Sequence, residues 1–322
     1  MARGNGKRSA RSDAGKRGGR RAQGAIAHPP DSPSWSRNAD EASAPAGAHR
    51  RAPVPAAPGI VTVEPGRPFD LAGVDPDATA GYEKEAARAA LGGERARIRA
   101  VQQRLYAERR RSLLVVFQAI DTGGKDGTIR NVFEGVNPQG CRVSSFKVPS
   151  ADELGYDFLW RYHRQVPGHG MIGVFNRSHY EDVLVVRVKD LVPEPVWRER
   201  YGLINDFERL LSVSGTTVLK FFLHISRQEQ KERLEARLAD PAKRWKFDPA
   251  DLVERESWDA YQDAFADALT HCSTPSAPWH VVPANRKWLR NLLVARTIAD
   301  TLEAMDPRYP EAKDLAGITV PD

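Results

Sequence analysis

The run Gln118-Ala-Ile-Asp121-Thr122-Gly123-Gly124-Lys125-Asp126-Gly127-Thr128 has the residue types that phosphate binding requires. Glycines let backbone N–H groups approach phosphate oxygens, a helix N-terminus supplies positive potential, and lysine adds a full charge. The usual pattern is glycine, four residues, then Gly-Lys-Ser/Thr. Gly124 and Lys125 fit it, Ala119 replaces the first glycine, and Asp126 occupies the hydroxyl position. The ordinary hydroxyl ligand for magnesium is therefore missing, with Thr128, three residues past the lysine, as a candidate replacement. Asp121 is a second candidate, because a carboxylate inside a phosphate loop holds Mg2+ or orients an incoming phosphate. A glycine-rich turn can also be only a turn; the apolar strand before it and the helix after it favour phosphate binding.

A second cluster follows the apolar run Met171–Phe175: Asn176-Arg177-Ser178-His179-Tyr180-Glu181-Asp182. Nucleoside triphosphatases place a second magnesium-binding group at such a strand end, normally Asp. Here it is Asn176, an uncharged ligand at best. Arg177 sits at the carboxyl end of the strand, where open α/β sheets bind ligands. Ser178 and Glu181 have capping-box spacing, which would fix the turn that presents Arg177. His179 has no second histidine at ligand spacing and is expected to pack or hydrogen-bond.

A third segment begins with a further capping-box pair, Ser226 and Glu229. Leu234 and Leu238 share one helix face, and Arg233 and Arg237 another. Lys243, Arg244 and Lys246 follow Asp240-Pro241. The segment at about 226–250 is either a solvated charged face or a mobile lid bringing cations over a phosphate chain.

These clusters need a frame to hold them. Short apolar runs at Ser112–Ile120, Arg142–Val148, Met171–Phe175, Val218–Ile225 and Trp279–Pro283 read as buried strands. Helical stretches are expected near 83–110, 127–135, 152–164, 178–189, 194–212, 226–240, 251–271 and 286–305. In the first of these, Ala90, Ile98, Val101 and Leu105 are the candidate buried positions. Buried runs alternating with helices predict an α/β fold with a parallel sheet flanked by helices.

Composition sets the outer bounds. With 322 residues, 41% hydrophobic, the chain can bury a sizeable core. Its net charge of +6 is uneven: residues 1–51 hold 11 Lys/Arg and 4 Asp/Glu, leaving 37 basic against 38 acidic residues elsewhere. Residues 1–57, rich in Arg, Gly, Ala, Ser and Pro, read as a disordered basic tail, either a solubilising extension or an arm for an anionic polymer or nucleic acid. Residues 58–322 read as one domain. Two cysteines without metal-like spacing suit a reducing compartment. No apolar run approaches a membrane span and no secretory signal is recognisable, so the expected location is cytoplasmic.

Together the motifs resemble the polyphosphate kinase 2 family. The resemblance runs from Val74-Asp-Pro-Asp-Ala-Thr79 to about Glu303 and rests on the phosphate loop 118–129 together with Gly135-Val-Asn-Pro-Gln-Gly140. It continues through Phe158-Leu-Trp-Arg-Tyr162, Phe175-Asn-Arg-Ser-His-Tyr-Glu-Asp182 and Val185-Val-Arg187. Phe222-Leu-His-Ile-Ser226, Trp245-Lys-Phe247 and Ala277-Pro-Trp279 complete it. It implies a three-layer P-loop kinase-like fold with a helical lid, and phosphoryl transfer between inorganic polyphosphate and nucleotides that depends on Mg2+ or Mn2+. It also implies a homo-oligomer, dimer or tetramer, and nucleoside mono- or diphosphate acceptors.

Carried onto this chain, Asp121, Lys125 and Arg177 become the catalytic residues, with Asp121 on the metal. Thr122, Gly123, Gly124, Asp126, Gly127, Thr128, Asn176, Glu181 and Arg187 become contacts to nucleotide and phosphate. Arg233, Arg237, Lys243 and Lys246 become the lid cations on polyphosphate. Two rivals stand beside this reading. One is an ATP-dependent nucleoside monophosphate kinase, which would more usually show a complete phosphate loop and a base-recognition segment. The other is a non-catalytic protein holding polyanions or nucleic acid through its tail, for which stacking aromatics are scarce: Trp35 is the tail's only Phe, Tyr or Trp.

Overall fold

The structure, a computed structural model, describes residues 54–311 and 317–321. The predicted tail lies outside these residues except for positions 54–57, and Ala57 is already buried, its N–H donating to Thr297 Oγ1 at 3.1 Å. In chain order the elements are β1 (Val61–Thr62), α1 (Lys84–Glu108), β2 (Ser112–Gln118), α2 (Lys125–Val132), β3 (Cys141–Ser145), α3 (Trp160–His163) and β4 (Ile172–Asn176). There follow α4 (Glu181–Val188), α5 (Glu194–Val213), β5 (Thr216–His224), α6 (Arg227–Ala239), α7 (Ala250–Glu256), α8 (Trp258–His271), β6 (Trp279–Pro283) and α9 (Lys287–Met305).

The sheet order is β1-β6-β5-β2-β4-β3, parallel except for β1, which runs antiparallel to β6. Every residue of β2 is buried, as a central strand covered on both faces requires. Two groups of helices flank the sheet: α9 packs with α1 and α2, and α4 packs with α5 and α8. The register aligns Phe117 with Asn176 and Gln118 with Phe222, so β2, β4 and β5 end together and open their loops on one side. This is the predicted α/β class.

Departures from the expected elements have local causes. β1 is two residues long and carries no periodic signal. The helix expected at 152–164 is a single turn at Glu153–Gly155 followed by the four residues of α3. Asp157 interrupts it by accepting the Leu159 N–H at 2.9 Å, an Asx turn that competes with the helix. The helix expected at 251–271 is broken at Ser257. On α1 the buried seam runs through Ala87, Leu91, Ile98, Val101 and Leu105, leaving Ala90 half-buried beside it.

Beneath the site a charged network is sealed inside the core. Lys220 on β5 and Glu208 on α5 are both fully buried and meet at 2.6 Å. Lys220 also donates to Tyr180 Oη at 2.8 Å and to Cys272 O at 2.6 Å. Tyr180 Oη donates to Glu208 Oε1 at 2.8 Å, and His179 Nε2 meets the same oxygen at 3.1 Å. Burial disfavours an imidazolium here and lowers the His179 pKa, although the Glu208 carboxylate opposes the shift. Glu208→Ala would strand Lys220 in the interior, and is expected to destabilise the fold by about 3–5 kcal/mol in urea denaturation. A change below about 1 kcal/mol would contradict this account of the network.

Candidate phosphate and nucleotide site

The phosphate loop leaves β2 and turns through two positive-φ residues, Thr122 (59°) and Gly124 (98°). Gly124 supplies that conformation without strain. Gly123 is needed for another reason: a Cβ there would lie 2.5 Å from Ala119 Cβ and 2.9 Å from Ile120 O. Lys125 opens α2, and its buried ammonium donates to Ala119 O at 2.9 Å. Burial and then the Arg177 charge lower its pKa to about 8, against the opposing fields of Asp121, Glu181 and Asp126.

Asp121 presents a buried Oδ2 that has no hydrogen bond, with Arg237 of α6 at 3.8 Å, the range of an ion pair. Thr122 Oγ1 beside it is likewise buried and without a partner. Buried polar atoms of this kind are costly unless something satisfies them. Among the described residues no group of three His, Cys, Asp or Glu could hold a metal unaided. A carboxylate completed by substrate phosphate oxygens and water is instead the arrangement that suits Mg2+.

Arg177 follows β4 at φ 63°, an uncommon conformation for a non-glycine residue. Its N–H donates to Phe117 O at 3.2 Å and Nη1 lies 3.4 Å from Glu181 Oε2. Asp121, Lys125, Arg177 and Glu181 thus form one electrostatic cluster at the adjoining ends of β2 and β4. Asn176 donates to Asp126 Oδ1 at 2.7 Å. The two departures from the usual motifs therefore pair with each other: a carboxylate at 176 would face the carboxylate at 126, and the amide removes that repulsion.

Three expectations are corrected. Thr128 donates its hydroxyl to Gly124 O at 3.0 Å and is fully buried, so it is the burial of its oxygen that sets it apart from an open metal ligand. Ser178 does not cap α4, whose N-cap is Tyr180 with no side-chain bond. The Ser178 hydroxyl instead accepts from Gln118 Nε2 and from the Tyr180 N–H, both at 3.3 Å, tying the Arg177 turn to the phosphate strand. Ser226 does cap α6, accepting the Glu229 N–H at 3.1 Å, but Glu229 turns to Arg233 at 2.6 Å. The Ser226 N–H donates to Asn285 Oδ1 at 3.0 Å instead.

The residues expected on the lid are divided. Arg233 is anchored, donating to Thr122 O at 3.0 Å, Ala284 O at 2.6 Å and Asn285 O at 3.2 Å, so it joins α6 to two loops rather than swinging free. Gln230 adds a bond to Asp121 O at 3.2 Å. Lys243 is exposed and pairs with Asp240 at 2.5 Å, while the side chain of Lys246 lies outside the described residues. Arg187 is not brought to the loop: it occupies the last turn of α4, paired with Asp267 at 2.6 Å and 4.8 Å over the Trp197 ring.

Sequence reasoning passed over α9. Arg290 in its first turn packs against the loop, with Nη1 2.1 Å from where a Cβ at Gly124 would stand and Nη2 3.6 Å from the corresponding point at Gly127. Lys287 lies one turn earlier on the same face, and its pKa is lowered by burial and then by the Arg233 charge. The available signal was two cations three residues apart at the carboxyl end of the last strand.

A lysine that is charged below about pH 8 and neutral above it loses its hold on phosphate as pH rises. With Lys125 essential for binding, kcat/KM for a phosphate substrate is expected to fall above about pH 8, since that ratio reports the free enzyme. Lys125→Arg should move this limb beyond pH 10; an unchanged limb would remove Lys125 as its origin.

The family profile of polyphosphate kinase 2 matches residues 81–310, well over half of the chain. A protein of Meiothermus ruber named AMP/ADP-polyphosphate phosphotransferase is 54% identical over 251 residues, covering 77% of this chain and 94% of its own length. The ADP-polyphosphate phosphotransferase of Rhodopseudomonas palustris is 48% identical over 227 residues, 67% of this chain and 78% of that one. The crystal structure of polyphosphate kinase 2 from Arthrobacter aurescens TC1 superposes with a TM-score of 0.75 at 42% identity, over 83% of this chain and 96% of that one. The described fold, the phosphate loop and these matches agree: the chain belongs to the polyphosphate kinase 2 family.

Proposed function

We propose that the protein transfers a phosphoryl group reversibly between inorganic polyphosphate and a nucleoside mono- or diphosphate. The observation that carries the reading is the convergence of Asp121, Lys125 and Arg177 at the ends of β2 and β4, with α6 bonded over the loop. Phosphoryl transfer asks for alignment and charge neutralisation more than for a strong base, and the cluster supplies both.

In the forward direction an oxygen of the acceptor's terminal phosphate attacks the end phosphorus of the polymer. A new P–O bond forms in line with the anhydride bond that breaks, and the shortened polyphosphate leaves with the bonding electrons. Lys125 and the loop N–H groups bind acceptor phosphate, and Arg177 stabilises charge on the transferred group. Asp121, with its unsatisfied oxygen, is the residue that would hold Mg2+, which when bound neutralises charge on the phosphate oxygens. One phosphoanhydride replaces another, so the direction follows concentrations.

Purified protein with Mg2+ and long-chain polyphosphate is expected to convert ADP to ATP, and activity on AMP assigns the acceptor class. No turnover with polyphosphate, together with phosphorylation of a nucleoside monophosphate by ATP, would establish an ordinary nucleotide kinase instead. Asp121→Asn is expected to lower kcat by at least about 100-fold while the protein melts as wild type, a magnitude in keeping with loss of one charge-stabilising group. Near-normal turnover would remove Asp121 from the mechanism.

A further inference from the structure

Thr122 is β-branched, yet its φ is 59°, in the left-handed region that such a residue rarely enters. A conformation of this kind persists only where neighbouring groups over-determine it. Here α6 holds the peptide on each side of the residue. Gln230 Nε2 donates to Asp121 O at 3.2 Å, and Arg233 Nη1 donates to Thr122 O at 3.0 Å. The Asp121 carboxyl group is presented from this turn.

Gln230 is itself held. It is 2% exposed, and Arg255 Nη1 of α7 donates to its Oε1 at 2.8 Å. The same nitrogen donates to Arg227 O, in the first turn of α6, at 2.8 Å. A guanidinium only donates and a carbonyl only accepts, so these two partners fix which way the Gln230 amide faces. Turned end for end, the amide would set its oxygen against Asp121 O and its nitrogen against Arg255. Arg255 has its own anchor in the chain: Glu254, one residue earlier, pairs with Lys189 at the end of α4 and accepts from the Tyr261 hydroxyl of α8.

We propose that Arg255 is a positioning residue for the phosphate loop, acting through Gln230 to hold the Asp121–Thr122 peptide and with it the Asp121 carboxylate. The assignment deepens the transfer reaction proposed above and rests on it for its effect on turnover. Without Arg255 the amide is free to reverse, the Asp121 carbonyl loses its donor, and the strained turn relaxes.

The test joins a double-mutant cycle to hydrogen exchange of the loop. Gln230→Met and Arg255→Met are each expected to lower kcat for ATP formation from ADP and polyphosphate by about 3- to 10-fold, the range for one hydrogen bond. In the double variant the loss should stay within about twofold of the larger single loss, because both substitutions break the same relay. Losses that multiply overturn the proposal, as does wild-type kcat in either single variant. Amides of residues 120–124 should exchange at least about threefold faster in both single variants, with β2 and β5 protected as in wild type, a pattern that general loss of stability would not produce. Unchanged loop exchange in Arg255→Met overturns the proposal even if Gln230→Met fails to fold. Wild-type protein that transfers nothing from polyphosphate, while Arg255→Met still frees the loop, would contradict the proposed reaction and leave this assignment standing.

Discussion

Crowding of positive charge at the carboxyl end of the sheet shapes most of what surrounds it. Lys125, Arg177, Arg233, Arg290 and Lys287 gather there with the N-terminus of α2, and most of the local carboxylates are already engaged. Glu229 is bonded to Arg233, Glu181 pairs with Arg177 and Asp126 takes the Asn176 amide, whereas Asp121 has Arg237 at 3.8 Å and an Oδ2 without a hydrogen bond. Lys125 and Arg290 are buried with no carboxylate in ion-pair range among the described residues, and burial, followed by the charge of Arg177 for the one and of Arg233 for the other, lowers both pKa values. A monovalent ligand would leave much of that charge uncompensated. The polyanionic substrates of the proposed reaction would compensate more of it.

Holding such charges in place requires a rigid base. The parallel register ends β2, β4 and β5 together, and each following loop is tied to a neighbour rather than left to itself. Gln118 fixes Ser178 behind Arg177, while Asn285 after β6 accepts from the N-cap residue of α6. Arg233 bonds to carbonyls of both the phosphate loop and the β6–α9 loop. Under the Arg177 turn, the buried Lys220–Glu208 pair locks His179 and Tyr180. The left-handed conformation at Arg177 costs free energy by itself, and it persists because the residues on both sides are over-determined.

How much of this was legible in the sequence depended on range. Strands of continuous apolar residues and the Gly-Gly-Lys turn were readable because their causes are local: burial on both faces for β2, and backbone freedom for Gly124. The pairing of Asp126 with Asn176 was visible only as two separate irregularities, since nothing in the spacing says that residues 50 apart meet. Arg290 was missed for the same reason, because its meaning comes from Gly124, on a different element. Arg187 and Thr128 erred in the other direction. Both have suitable chemistry, but Arg187 pairs with Asp267 and the Thr128 hydroxyl is fully buried against Gly124 O. Of the two capping boxes, Ser226 caps α6 while Glu229 turns to Arg233, and Ser178 leaves the α4 cap for Gln118 and the Tyr180 N–H.

The most direct test of the account is phosphorus NMR of the protein with Mg2+, ADP and long-chain polyphosphate as sole donor. The account predicts one internal polyphosphate phosphorus lost for each new ATP γ-phosphorus, with the number of chain ends constant and no orthophosphate. Orthophosphate released in place of γ-phosphate, or internal phosphorus lost without ATP, would contradict it.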